Sequence, residues 1–302
     1  MAHANGKLIL LGEHAVVYGV PAIAAGIDRG ASASALAADT ASLRLGSRTA
    51  LPGDGSEVGS AFAALLAELG LGAHAVTVEL ELPAGSGLGA SAAIGVAIAR
   101  AVLEAAGEAP TAARALAAAE AWEQVFHGNP SGIDTAAAVY GGCFSFTRES
   151  GVRPLHVERE LALVVALAGP PASTRRMVEE VRLLRERRPE VVDKALEGIG
   201  SLVQNAKLCV EAGDLPGLGR LMDLNQMLLS GLFVSSEGIE RVCAIARTAG
   251  ALGAKLTGAG GGGAVIVLTE GDTAPVAAAL EREGVSCFAC RVPASEAAGE
   301  RS

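Results

Sequence analysis

Pro83-Ala-Gly-Ser-Gly-Leu-Gly-Ala-Ser-Ala-Ala93 stands between an alternating apolar run, Val76-Thr-Val-Glu-Leu-Glu-Leu82, and a stretch of small apolar residues over 91–106. The first reads as a strand and the second as a helix, so Gly85, Gly87 and Gly89 occupy a strand-to-helix turn. Such a turn lets the backbone bend. It also presents the unpaired N–H groups and positive dipole end of a helix start, which suit a phosphate. The expectation is a polyphosphate-binding loop; a tightly packed helix start is the other reading of the same glycines.

Two common phosphate motifs can be tested against this chain. The string G-x-x-x-x-G-K-[ST] does not occur. The dinucleotide pattern G-x-G-x-x-G/A is met formally by Gly85, Gly87 and Ala90, and again by Gly258, Gly260 and Gly263. The second match lies between two strand-like runs, Ala254-Lys-Leu-Thr257 and Ala264-Val-Ile-Val-Leu268, where a dinucleotide loop must open a helix. The first has the right flanks, but its acidic partner, Glu104, falls inside the helix rather than at the end of a following strand.

The 302 residues suggest one large domain or two ordinary ones, and 3% aromatic content requires a core of Ala, Val, Leu and Ile. A net charge of −9, with no basic cluster interleaved with aromatics, argues against nucleic acid as a partner. Arg182, Arg185, Arg187 and Arg188 alternate with Glu179, Glu180 and Glu186, the pattern of a solvated helix face. The longest uncharged run, 82–99, contains Pro83 and four glycines, so no membrane span is expected. With no leader pattern and five cysteines, an odd number, the expectation is a soluble cytoplasmic protein with reduced thiols. Cys287 and Cys290 have no companion pair for a metal, and an offset of three on a strand sends them to opposite faces.

Strands are expected at 7–11, within 22–35, at 76–82 and at 141–146, with helices at 57–69, 91–106 and 111–127. Thr111 is the natural cap of the last, and Gly128-Asn-Pro-Ser131 stops it. A second unit begins near residue 155. A buried strand at 161–167 precedes helices near 174–187, 190–211, 215–229 and 237–249. A strand–glycine turn–strand over 254–268, a helix near 273–283 and a last strand at 285–291 complete it. The fold class is α+β in two domains, and the tail Pro293–Ser302 is expected to be mobile.

Glu120, Glu123 and His127 share one face of their helix. Glu123 and Ser91 carry the hard oxygens that Mg²⁺ accepts, although a surface carboxylate and a helix-start hydroxyl explain them equally. Asp134 follows a rigid loop, which either places it for chemistry or makes it the cap of 135–140. Lys7 opens an inward strand and can simply snorkel to solvent, and His14 can be a packed loop histidine. His3, His74 and His156 show no site spacing.

Three segments in this order span nearly the whole chain and together resemble the motifs of the GHMP small-molecule kinases. They are Lys7-Leu-Ile-Leu-Leu-Gly-Glu-His-Ala-Val-Val-Tyr-Gly19, 83–93, and Lys255-Leu-Thr-Gly-Ala-Gly-Gly-Gly-Gly263. Gly12-Glu-His-Ala-Val-Val-Tyr-Gly19 and His127-Gly-Asn-Pro-Ser-Gly-Ile-Asp134 resemble the branch that phosphorylates mevalonate on the route to isoprenoids. A phosphomevalonate-phosphorylating relative, another kinase of the family, or a non-catalytic nucleotide or metabolite sensor on the same fold are the alternatives.

The resemblance implies an N-terminal domain over 1–155 like the second domain of ribosomal protein S5. It implies a ferredoxin-like C-terminal domain over 156–302, with ATP and the acceptor bound between the two. It makes Asp134 the catalytic carboxylate and Lys7 its cationic partner. Pro83, Ala84, Gly85, Ser86, Gly87, Leu88, Gly89, Ala90 and Ser91 become the ATP loop, Ala90 replacing the usual serine. Ser91 and Glu123 would hold Mg²⁺, and Glu13, His14 and Thr174 would lie near the acceptor. Gly258, Gly260, Gly261 and Gly262 would support the ATP loop. The implied partners are ATP and mevalonate, and a homodimer is compatible with the resemblance.

Overall fold

The computed structural model describes residues 1–83, 85–127 and 132–295. The chain opens with β1 (Ala2–Leu11), a 3₁₀ turn (Ala15–Tyr18), β2 (Ala22–Ala37), β3 (Ser42–Leu45) and β4 (Arg48–Ala50). It continues through α1 (Glu57–Leu69), β5 (His74–Leu80), α2 (Ala90–Ala105), α3 (Ala112–His127), α4 (Ile133–Tyr140), β6 (Cys143–Thr147) and β7 (Gly151–Leu155). Next come β8 (Leu161–Leu167), α5 (Thr174–Arg187), α6 (Pro189–Ala212), α7 (Leu215–Gly231) and α8 (Glu237–Thr248). The last elements are β9 (Gly253–Thr257), β10 (Ala264–Thr269), α9 (Ala274–Arg282) and β11 (Cys287–Val292).

Every helix read from periodicity is present, and the strand and helix flanking the glycine loop, β5 and α2, begin within two residues of expectation. β1 begins at Ala2 instead of Lys7: Ala2 and Ala4 are buried on either side of exposed His3, too small to register as an apolar stripe. β3 and β4 form a short hairpin that the sequence reading missed. It also missed β7, an edge strand that among the described residues pairs only with β6, where Pro154 removes one donor and weakens the strand pattern. α4 starts one residue before Asp134, with Gly132 in the cap position, so Asp134 sits in the first turn and is not the cap.

The chain forms two compact units. Unit 1 comprises Met1–Lys7, Gly26–Ala84 and Leu88–Gly141; unit 2 comprises Leu8–Ala25, Gly85–Gly87 and Gly142–Ser302. β1 and β2 therefore each contribute to both. In unit 1, β5 runs antiparallel to β2, from Ala31 opposite Leu80 to Ala37 opposite His74, and parallel to β3. Val76 and Val78 from this sheet join Phe62 and Leu65 of α1, Val96 and Val102 of α2, and Trp122 of α3 in one buried cluster. Ser56 caps α1, its hydroxyl accepting the Gly59 N–H at 2.9 Å.

In unit 2, Ala22–Ala25 pairs with β6, and β11, β8, β10 and β9 form an antiparallel four-stranded sheet in that order. β10 is buried along its whole length and β8 along all but its last residue, as their unbroken apolar runs require. Asp214 and Ser236 cap α7 and α8 through the Gly217 and Ile239 N–H groups. On α5, Arg182 pairs with Glu179 and Glu186, the solvated face the charge pattern indicates. Arg185 departs from that pattern: it bonds Asp193 and lies 4.8 Å from the Tyr18 ring centre. No helix among the described residues is long and apolar enough to cross a membrane.

Candidate active site

The glycine loop is fixed by its apolar member. Leu88 is 1% exposed, and its carbonyl accepts the Lys7 N–H at 2.8 Å, tying the loop to β1. Gly85, Gly87 and Gly89 all take positive φ. Gly89 occupies the cap position of α2 with φ 72° and no side-chain cap bond. The first-turn N–H groups of Ala90, Ser91 and Ala92 are thus the unbonded donors of a helix start. A side chain at Gly89 would meet Lys7 Cβ at 3.1 Å and Asp134 Oδ1 at 3.7 Å, so the absence of one lets the loop lie against both. Ala84 and residues 128–131 lie outside the described residues.

Lys7 and Asp134, distant in sequence, form an ion pair with Nζ 2.9 Å from Oδ1. The Lys7 side chain is 8% exposed and that of Asp134 is 39%, so the cation is held inside while the carboxylate is reachable. Beside them Ser91 Oγ donates a short hydrogen bond to Glu123 Oε1, and Trp122 Nε1–H donates to Ser91 Oγ at 3.2 Å. His127 Nε2 lies 3.7 Å from Glu123 Oε2. Burial raises the Glu123 pKa above the ordinary carboxylate value; Ser91 and His127 pull it down and the Asp134 charge pushes it up. Glu120, sharing the helix face, is exposed. Trp122 is the partner sequence reading missed, although a buried indole N–H generally needs an acceptor and Glu123 is its neighbour.

A hydroxyl and a buried carboxylate in contact form a hard-oxygen donor pair, which fits Mg²⁺. Among the described residues no group of three or more His, Cys, Asp or Glu could hold a metal. Two protein oxygens completed by phosphates and water is the usual way a nucleotide's Mg²⁺ is bound.

The first and third motifs meet in unit 2. The Glu13 carboxylate pairs with the Lys255 ammonium and is 1% exposed. His14 Nε2 lies 2.9 Å from the Ala259 carbonyl, to which it donates, and burial holds the His14 pKa below its ordinary value. Thr257 Oγ1 accepts from Ile9 N–H at 3.0 Å and donates to Ile9 O at 3.1 Å. Gly261 N–H bonds Val234 O at 2.7 Å, and Gly258, Gly260, Gly261 and Gly262 all have positive φ. Ser86 O stands 4.0 Å from the place a Gly263 Cβ would take. Thr174, exposed, is the first residue of α5.

A Cβ at Gly260 would stand 2.1 Å from Val234 O, at φ 79°. Gly260→Ala is therefore expected to lower unfolding stability by about 1–3 kcal/mol. Urea unfolding checks this; an unchanged midpoint would show that the third motif yields freely.

Residues 56–142 match the GHMP kinases N terminal domain and residues 205–286 the GHMP kinases C terminal family. With the glycine loop, the Lys7–Asp134 pair and these matches together, the chain belongs to the GHMP kinase family. It is similar to the mevalonate kinase of Pyrococcus horikoshii, 34% identical over 94% of this chain and 92% of that one. The mevalonate kinase of Aeropyrum pernix is 36% identical over 88% and 87%. Among solved structures it resembles L. major mevalonate kinase in complex with R-mevalonate, with TM-score 0.89 and 31% identity, covering 98% of this chain and 96% of that one.

Proposed function

We propose that this chain transfers the γ-phosphoryl group of ATP to the 5-hydroxyl of mevalonate, giving 5-phosphomevalonate and ADP on the route to isoprenoids. The observation that carries the reading is the Lys7–Asp134 pair at 2.9 Å, packed against the glycine cap of α2. The similarity to mevalonate kinases along nearly the whole chain supports the acceptor.

Phosphoryl transfer needs alignment and charge neutralisation more than covalent chemistry. The loop over 83–91 and the first-turn N–H groups of α2 bind the phosphates. Asp134, the exposed member of the pair, orients the hydroxyl and accepts its proton. The Lys7 ammonium holds that carboxylate in direction and offsets the negative charge growing on the attacking oxygen. Ser91 and Glu123 would hold the Mg²⁺ that accompanies ATP, which when bound would neutralise phosphate charge. His14 and Thr174 belong to the acceptor side, Glu13 acts there through the turn it anchors, and Gly258, Gly260, Gly261 and Gly262 steady the loop.

The same reading takes 1–155 and 156–302 as the two domains and the cytoplasm as the compartment. It is supported there by the cysteine count, an odd five.

ADP release measured with mevalonate, phosphomevalonate, homoserine and galactose tests the proposal. Release with mevalonate is expected to exceed the others; none with any acceptor would favour the sensor. Ser91→Ala and Glu123→Gln are expected to raise the Mg²⁺ requirement. A proton competes for the Glu123 carboxylate, and its raised pKa extends that competition above the ordinary value of 4.5. The parent's Mg²⁺ requirement should thus fall as pH rises from 4.5 through the raised pKa, and Glu123→Gln should flatten that dependence. Identical Mg²⁺ titrations for parent and both variants would refute the ligand assignment.

A further inference from the structure

A second buried charged centre lies in unit 2 that the phosphoryl-transfer chemistry does not use. Lys255 and Asn225 are 0% exposed and Glu13 is 1% exposed. Lys255 Nζ donates to Glu13 Oε1 and, at 2.5 Å, to Leu256 O. Asn225 Nδ2 donates to Glu13 Oε2 at 3.4 Å, while its own buried Oδ1 meets no donor among the described residues. Both Glu13 oxygens are therefore turned inward, so the carboxylate does not present itself to a ligand. Such a pair adds little net stability over an apolar pair of the same shape. What it fixes is direction.

The direction it fixes is that of the next residue. His14 has φ 60° and ψ −45°, a sparsely populated region that is strained for a residue with a side chain and persists only where the surroundings over-determine it. Three anchors do so. Gly12 packs so closely on Ala22 that a Cβ would stand 2.5 Å from its Cα, Glu13 is held by Lys255, and the His14 ring bonds Ala259. Asn225 adds a contact from α7, next to Gln226, which bonds Leu256 N–H at 2.9 Å. The turn over 12–14, β9 and the third glycine motif are thereby joined into one block.

We propose that Lys255 and Asn225 are positioning residues for acceptor binding: by gripping the Glu13 carboxylate they hold the strained His14 turn in the shape that receives the acceptor. This rests on the mevalonate-phosphorylating reading above.

The test is steady-state kinetics on the full chain, with ATP and mevalonate varied separately, each variant assayed well below its unfolding temperature. Lys255→Met and the charge-free double variant Lys255→Met/Glu13→Leu are expected to raise KM for mevalonate about tenfold. Asn225→Ala should raise it about threefold, with KM for ATP within about twofold of the parent in every case. The double variant separates positioning from plain stability: it removes the lone buried charge yet should keep the raised KM. If Lys255→Met does not fold, the double variant and Asn225→Ala decide the matter. Mevalonate KM values within about twofold of the parent in the folded variants, or an equal rise for ATP, would overturn the proposal alone. A parent that does not consume mevalonate would overturn both this proposal and the reading beneath it.

Discussion

Asp134→Asn is expected to lower kcat by about 10² or more while the protein stays folded and KM for ATP stays close to that of the parent. The amide is nearly isosteric with the carboxylate, and its oxygen can still accept from Lys7 at the 2.9 Å separation. It cannot take a proton from a hydroxyl. The loss should therefore fall on kcat and on kcat/KM for the acceptor alike, the signature of an interaction made only in the transition state. The Asp134 side chain is 39% exposed and the amide oxygen keeps a contact for the buried Lys7 ammonium, so the fold should tolerate the change. A coupled assay for ADP together with a thermal melt checks both halves. Turnover near that of the parent would remove Asp134 from the role of base.

Lys255→Met should cost about 3–5 kcal/mol of unfolding stability, because it strands the Glu13 carboxylate in an interior where neither partner reaches solvent. Adding Glu13→Leu should recover most of that loss, since a buried ion pair replaced as a unit by apolar side chains is often neutral or better. Urea unfolding of parent, single and double variants measures it. A loss below about 1 kcal/mol in the single variant would mean that Glu13 is readily rehydrated.

How much of this was legible in the chain depends on the range of the interaction. The loop between β5 and α2 is local: alternation, glycine spacing and a small-residue helix lie within thirty-odd residues, and the structure has them where they were read. Ser91 and Glu123 were nominated by donor type alone, and their contact depends on the packing of α2 on α3, to which Trp122 contributes. Lys255 carries no local sign of its role. It sits in a strand buried at every position, where a lysine reads as an exception, and its partner lies 242 residues away. The short strands β3 and β4 and the proline-bearing β7 are held by pairing with neighbours rather than by propensity.

The bonds from Ile9 to Thr257, Glu13 to Lys255 and His14 to Ala259 span 248, 242 and 245 residues. During synthesis the amino-terminal segment must therefore wait for nearly the entire polypeptide before it can settle. A nascent chain released before residue 255 would leave Glu13 without its counter-charge and Ile9 without the Thr257 hydroxyl. Unit 2 can close only late, and loop-closure entropy makes that step slow compared with helix formation. Ribosome-bound chains of increasing length should stay protease-sensitive around residues 9–14 until the third glycine motif has emerged.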